Sequence, residues 1–263
     1  MAEFGYTLSS EEFGPRDLVA NAARAEEAGF TFALISDHFH PWIDEQGHSP
    51  FVWATLGGIA QRTERLKVGT GVTCPLIRIH PAIVAHAAAT VADIMPGRFF
   101  LGLGTGENLN EHVTGARWPA ADQRLDMLAE AIEVIRALWK GDDETHRGTY
   151  YTVEQARLYT LPDELPPLYV AAKGERAATL AANMGDGLIA VGPDADTAKA
   201  YQEAGGSGPR YAQLHHCWAE DEAEARKLAH RVWPNAGIGG ELSVELPLPR
   251  HYEQAAETVT EED

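Results

Sequence analysis

Basic residues, cysteine and long apolar runs are all scarce in this chain, and each shortage removes a class of function. Lys and Arg total 21 against 39 Asp and Glu, a formal net charge of −18 over 263 residues. That balance disfavours nucleic acid and an anionic membrane surface as partners, because both reward basic patches. No apolar run approaches the ~18 residues that span a bilayer, and Met1-Ala2-Glu3-Phe4 lacks the basic and apolar regions of a signal peptide. A cytoplasmic location is expected. Cys74 and Cys217 match no Cys-x-x-Cys or metal-ligand spacing, so two reduced thiols are expected, Cys74 at a strand end where it can line a pocket.

What is present in quantity is apolar residue, 44% of the chain, distributed in a regular alternation of short β-rich and longer helical segments. Strands are expected at Phe4 to Leu8, Thr31 to Ser36, Lys67 to Thr73, Phe99 to Gly104, Leu168 to Ala172, Gly187 to Val191 and Tyr211 to Trp218. Between them lie helical stretches at Arg16 to Ala28, through Trp53, Leu56, Ile59 and Ala60, Ala82 to Ile94, Gln123 to Lys140 and Gly174 to Asn183, with another at Asp221 to Val232. Pro15 suits a first helical turn and Gly29 a helix exit. The pattern is that of a (β/α)8 barrel forming one domain over residues 1–263, with insertions near 37–52, 105–122 and 146–166. Seven strands leave it one βα unit short. Either the series stops before its last unit, or Leu242 to Leu246 supplies an irregular final strand, and Thr258 to Asp263 resembles a helix start. An open doubly wound sheet is the competing architecture.

In a parallel α/β protein, chemistry collects beyond the carboxyl ends of the strands, and three such ends carry it here. The second strand runs into Ser36-Asp37-His38-Phe39-His40-Pro41-Trp42, an acid, an imidazole and an indole in close succession. After the fourth comes Gly102-Leu103-Gly104-Thr105-Gly106-Glu107-Asn108-Leu109-Asn110-Glu111-His112. Its glycines allow backbone to approach a flat ring or a phosphate, and Glu107 has no basic neighbour in sequence, the setting in which burial makes a carboxyl a proton donor. The spacing is not the dinucleotide fingerprint. The fifth strand ends in Ala171-Ala172-Lys173-Gly174-Glu175-Arg176, a helix start with free N–H groups and two cations suited to an anion. His40, His48, His80, His86 and His112 form no credible metal motif, and His215-His216, placed within the seventh strand, would face opposite sides.

Together these clusters resemble the F420-dependent glucose-6-phosphate dehydrogenases and their relatives among the bacterial luciferase-like oxidoreductases. The resemblance rests on Gly5-Tyr6 with Glu11 and Pro15-Arg16, Ser36 to Phe39 with Pro41-Trp42, Gly47-His48-Ser49-Pro50-Phe51, Gly69 to Thr73 and Gly102 to Glu111, in order through residues 4–192. It implies a luciferase-like TIM barrel binding the deazaflavin F420, hydride transfer between a hydroxyl or carbonyl compound and that cofactor, and a homodimer. Asp37 would lie near the ring, Gly71-Val72 would form a bulged, non-prolyl cis link behind it, and Thr73, Gly106 and Asn110 would join them. Ala172, Lys173, Gly174 and Glu175 would hold the cofactor phosphate. His38 would act on the substrate hydroxyl, Trp42 would shape the site, Glu107 would serve proton transfer at the ring, and Glu11 would be a further pocket acid. An imidazole can take the hydroxyl proton near neutrality while the cofactor carries the hydride.

The substrate departs from the resemblance. Glucose-6-phosphate dehydrogenases of this type carry a phosphate-binding lysine after the sixth strand, where this chain reads Val191-Gly192-Pro193-Asp194-Ala195-Asp196. Two acids repel a sugar phosphate, so a different small hydroxy compound is expected. An FMN-dependent luciferase-like monooxygenase and a non-catalytic cofactor-binding protein are the alternatives.

Overall fold

The computed structural model describes residues 2–262. Among the described residues nine strands form, β1 Tyr6–Leu8, β2 Phe32–Ile35, β3 Lys67–Thr70, β4 Phe99–Leu103, β5 Glu144–Arg147, β6 Thr152–Ala156, β7 Leu168–Ala172, β8 Gly187–Ala190 and β9 Arg210–Ala212. Ten α-helices accompany them: α1 Pro15–Glu27, α2 Val52–Arg62, α3 Pro81–Ile94, α4 Asn108–Glu111, α5 Ala121–Leu138, α6 Glu175–Met184, α7 Ala195–Glu203, α8 Glu222–Val232, α9 Leu242–Glu245 and α10 Pro249–Ala256.

Seven strands pair in parallel in the order β1-β2-β3-β4-β7-β8-β9, while β5 and β6 form a separate antiparallel hairpin. The order never reverses. A doubly wound sheet would reverse at a switch point, so that alternative is excluded. The sheet curls: Phe32 of β2 and Tyr211 of β9 stand nearly at opposite ends of the order, yet their rings meet at 5.1 Å. Tyr211 also stacks on Phe100 at 5.3 Å and 17°, and Leu34, Tyr169 and Ile189 join them in an apolar filling inside the curl. On the outer face Leu18, Leu56, Ile59, Val84, Leu128, Ile132 and Ile135 are buried between sheet and helices. With both faces covered, every residue of β4 is buried, as its unbroken apolar sequence requires. This is the expected parallel α/β barrel architecture, and among the described residues no eighth strand joins β9 to β1.

The expected strands and helices through β8 form with boundaries shifted by a few residues, and α7 is an addition. It begins at Asp194, whose carboxylate accepts from the N–H groups of Asp196 and Thr197 at 3.0 and 3.1 Å. Asp-x-x-Thr is a local cap signal carried by the sequence itself. Three expectations near the C-terminus are overturned. The seventh strand is only Arg210–Ala212, because its partner β8 ends at Ala190 and the ladder stops with Gln213 N–H to Ala190 O at 3.2 Å. His215 and His216 therefore lie beyond the strand, exposed, with no alternation imposed on them. Of Leu242 to Leu246, the first four residues form helix α9, tightened by Ser243 Oγ donating to Gly240 O at 2.8 Å where Gly240 takes φ +70. Thr258 starts no helix; it follows the end of α10, whose Leu248-Pro249 start gives Pro at the first helical turn.

The hairpin is held to α5 by a single carboxylate. Glu130 accepts from the N–H groups of Thr149, Tyr150 and Tyr151 at 3.0, 3.1 and 2.8 Å, and from the ring of His146 at 3.2 Å. Burial raises its pKa, but the Tyr151 N–H, the His146 ring and the other two amides outweigh that and hold it below 4.5. Replacement of Glu130 with Ala is expected to cost about 1–3 kcal/mol at pH 7, as amides lose their partner. The folded pKa lies below the unfolded one, so this contribution is complete above the unfolded value and is lost as pH falls through the folded one. Urea denaturation at pH 7 and at about pH 3 should show the wild-type advantage shrinking at the lower pH.

Candidate active site

The first group forms where β2 leaves the sheet. Glu11, 3% exposed in the loop after β1, accepts from Ser36 Oγ at 2.7 Å and Ser9 Oγ at 3.1 Å through Oε2. Its other oxygen faces His38 Nε2 at 3.4 Å. His38 Nδ1 lies 3.2 Å from the backbone oxygen of His40. A carbonyl only accepts, so that contact calls for a proton on Nδ1, and Nε2 is the ring nitrogen turned toward the Glu11 carboxylate. The Trp42 indole packs beside it, ring centroids 4.9 Å apart at 59°, and the backbone N–H of Trp42 donates to Gln46 Oε1 at 2.9 Å. Glu11, His38 and Trp42 are therefore brought together.

Asp37, one residue earlier, points the other way. Its carboxylate is buried, accepting from Thr73 Oγ1 at 2.8 Å and from Arg78 Nη2 at 2.9 Å. Arg78 also bonds Asp37 O at 3.1 Å and reaches Glu111, which takes its N–H at 2.7 Å and its Nε at 3.4 Å. The three side chains are at most 7% exposed. Burial opposes the charge on Arg78, but Asp37 and Glu111 more than restore it; burial pushes the Glu111 carboxyl up despite Arg78. Arg78 was not anticipated, because it sits in the unpatterned run Pro75 to Pro81, 41 residues from Asp37 and 33 from Glu111.

The loop after β4 links the two groups. Asn110 Oδ1 accepts from the N–H groups of Phe39 and His40 at 2.8 and 3.2 Å, while its Nδ2 donates to Glu107 Oε2 at 3.2 Å. One amide thus fixes the backbone after His38 and the carboxylate of Glu107 together. The peptide Gly71-Val72 is cis, as the resemblance implied. Gly106 takes φ +71, and a Cβ there would come 2.5 Å from Cys74 Sγ, so only glycine fits. Burial, then Glu111, holds the Cys74 thiol well above its ordinary pKa, a packing group rather than a nucleophile. Cys217 is likewise free.

The C-terminal segment closes the far side. Gln46 Nε2 donates to Val232 O at 2.9 Å, Trp233 Nε1 to Glu12 at 2.7 Å, and Asn108 Nδ2 to Glu245 O at 2.9 Å. Tyr252 of α10 sets its ring edge against Trp42 at 5.1 Å and 78°. Burial, then Glu107 and Glu245, push its phenol up, so it stays neutral. This contact was missed, since no helix was expected at Pro249–Ala256.

The turn from β7 to α6 lies at the same carboxyl edge of the sheet. Ala172 is buried, whereas Lys173, Gly174 and Glu175 are exposed. Gly174 takes φ +90, and a Cβ on it, or on Gly192 in the next turn, would meet nothing within 4 Å. Gly174 N–H donates to Thr197 Oγ1 at 2.9 Å, itself bonded to Asp194 at 2.6 Å. Open space therefore stands before the start of α6. Among the described residues no group of three or more His, Cys, Asp or Glu could hold a metal ion, and no helix is long and apolar enough to cross a membrane.

The chain is 42% identical over 265 residues to an F420-dependent hydroxymycolic acid dehydrogenase of Mycobacterium tuberculosis, covering 97% of this chain and 72% of that one. It is 44% identical over 186 residues to an F420-dependent glucose-6-phosphate dehydrogenase of Microbacterium testaceum, 71% of this chain but only 55% of the relative, so it spans little more than half of that protein's length. Among solved structures, an F420-dependent secondary alcohol dehydrogenase in complex with an F420-acetone adduct superposes with a TM-score of 0.92 at 33% identity, over 99% of this chain and 82% of that one. The luciferase-like monooxygenase family matches residues 1–262, and with these relatives it establishes that the chain belongs to the luciferase-like family, beside its F420-dependent dehydrogenases.

Proposed function

We propose that this chain, as a single domain, is an F420-dependent oxidoreductase acting on CH–OH groups and transferring a hydride between a hydroxyl or carbonyl compound and the deazaflavin. The observation that carries the reading is His38, held between Glu11 and Trp42 with Nε2 turned toward the Glu11 carboxylate, in a chain 42% identical to an F420-dependent dehydrogenase. The residues present fit such a cofactor. Gly104 sets bare backbone against Val72 of the Gly71-Val72 link, Gly106 does so against Cys74, and the open space at Gly174 with Lys173 beside it suits an anionic tail. Asp37, Gly71, Val72, Thr73, Gly106 and Asn110 would line the ring, and Ala172 to Glu175 the phosphate.

F420 supplies the hydride acceptor when bound. His38 Nε2 takes the hydroxyl proton as the carbon gives up its hydride, and Glu11 then faces a positive imidazolium at hydrogen-bond range. Trp42 excludes water from one side, and Glu107, steadied by Asn110, is the proton donor toward the ring. Asp194, which caps α7, and Asp196 in its first turn follow β8, and this negative charge disfavours a phosphorylated substrate and supports a neutral alcohol over glucose 6-phosphate. The second cofactor to test is FMN. Fluorescence titration of the purified chain with each should give saturable binding of F420 in preference to FMN; preference for FMN would redirect the reading to a monooxygenase, and no binding by a folded chain would overturn it.

A further inference from the structure

The rings of His38, Trp42 and Tyr252 stand in one row, each in contact with the next at 4.9 and 5.1 Å. The three differ in freedom. Tyr252 is 1% exposed and enclosed with Ile43, Leu109, Ile238 and Ala256, and its hydroxyl donates to Ser243 O at 3.2 Å. Trp42 is only half-buried and packs against that cluster from outside. One side of the indole meets the base, another rests on the phenol, and its plane is therefore set by a residue 210 positions later in the chain. The segment bearing that residue is pinned to the same loop, through Asp44 N–H to Glu253 at 3.0 Å and Gln46 to Val232.

We infer that Tyr252 is the specificity-determining residue of this site, fixing the plane of Trp42 and thereby the width of alcohol accepted beside His38. Tyr252 touches the wall and acts through it, so it is a positioning residue. Truncating a buried ring leaves a cavity into which a half-buried neighbour can relax. Rotation of Trp42 into that cavity would widen the space next to His38 Nε2. The favoured substrates of the intact site are then narrow, neutral secondary alcohols, with bulky ones excluded by the indole. The inference rests on the F420 dehydrogenase reading above.

The test compares wild type, Tyr252→Phe and Tyr252→Ala for kcat/KM with F420 over a panel from 2-propanol to 2-octanol and 1-phenylethanol. Tyr252→Ala is expected to shift the bulky-to-small ratio by about tenfold or more toward the bulky alcohols, the scale of pocket discrimination by one or two methylenes. Tyr252→Phe keeps the ring and should keep the wild-type ratio. An equal loss on every alcohol, a Phe variant that behaves like Ala, or a wild type that binds F420 but turns over none of the panel would overturn the inference. Near-UV circular dichroism supplies a readout independent of cofactor. The Trp42 signal, taken by difference from Trp42→Phe in each background, should change in Tyr252→Ala and persist in Tyr252→Phe; an unchanged signal in Tyr252→Ala also overturns it. Failure of the wild type to bind F420 would instead overturn the function reading, leaving the Trp42 signal to decide the positioning role.

Discussion

Replacing His38 with Asn is expected to lower kcat by about 10²- to 10⁴-fold, the usual contribution of a positioned base, while F420 affinity and thermal stability stay close to wild type. The expectation follows from where the ring sits. His38 Nδ1 is committed to the His40 carbonyl, which leaves Nε2 for proton exchange, and Glu11 stands 3.4 Å away to balance the charge of the protonated ring. None of its recorded hydrogen bonds holds the sheet together, so the fold should survive the change. Glu11→Gln should lower kcat less, since it keeps an oxygen facing His38 while removing the negative charge. Steady-state rates with the best alcohol of the panel, paired with F420 titration, separate a lost base from a lost binding site. A His38→Asn variant within tenfold of wild type would remove His38 from the proposed proton path.

Arg78→Met is expected to destabilise the protein by about 3–5 kcal/mol, because it leaves two buried carboxylates without their counter-charge. Asp37 and Glu111 side chains are fully enclosed, and Arg78 is 7% exposed. At roughly 2–4 °C per kcal/mol for a domain of this size, the midpoint of thermal unfolding should fall by on the order of 10 °C. The same change in an Asp37→Asn/Glu111→Gln background should cost much less, since the charges that Arg78 balances are gone. A full-sized loss in that background would place the role of Arg78 in packing rather than in charge. Because Asp37 and Thr73, which it bonds, belong to the strand ends proposed to hold the deazaflavin, the single variant should also weaken F420 binding.

The parts of the site readable from sequence are those whose signal is local. Asp37-His38 and Trp42 follow a strand within seven residues of Ile35, and the glycines after β4 mark close backbone approach whichever fold surrounds them. Gly106 illustrates this: its φ of +71 and the Cys74 sulfur beneath it are what a glycine-rich strand end leads one to expect. Arg78 carried no such mark. Its meaning arises only when the loop after β3 is laid between β2 and α4, and nothing in the spacing of a lone arginine announces that. Tyr252 was hidden twice over, by an unanticipated helix and by a partner 210 positions away.

The C-terminal misreadings have the same cause in reverse. Tyr211 to Trp218 has strand-like composition, yet a strand extends only as far as a neighbour offers paired backbone, and β8 turns away after Ala190. By itself the sequence determined the alternation of strands and helices, the parallel barrel and the chemistry at the strand ends, because hydrophobic periodicity and turn residues act over a few positions. Only the tertiary structure decided how far β9 runs, which charges Arg78 bridges and which ring supports Trp42. Those depend on burial and pairing between segments distant in the chain, which local pattern does not encode.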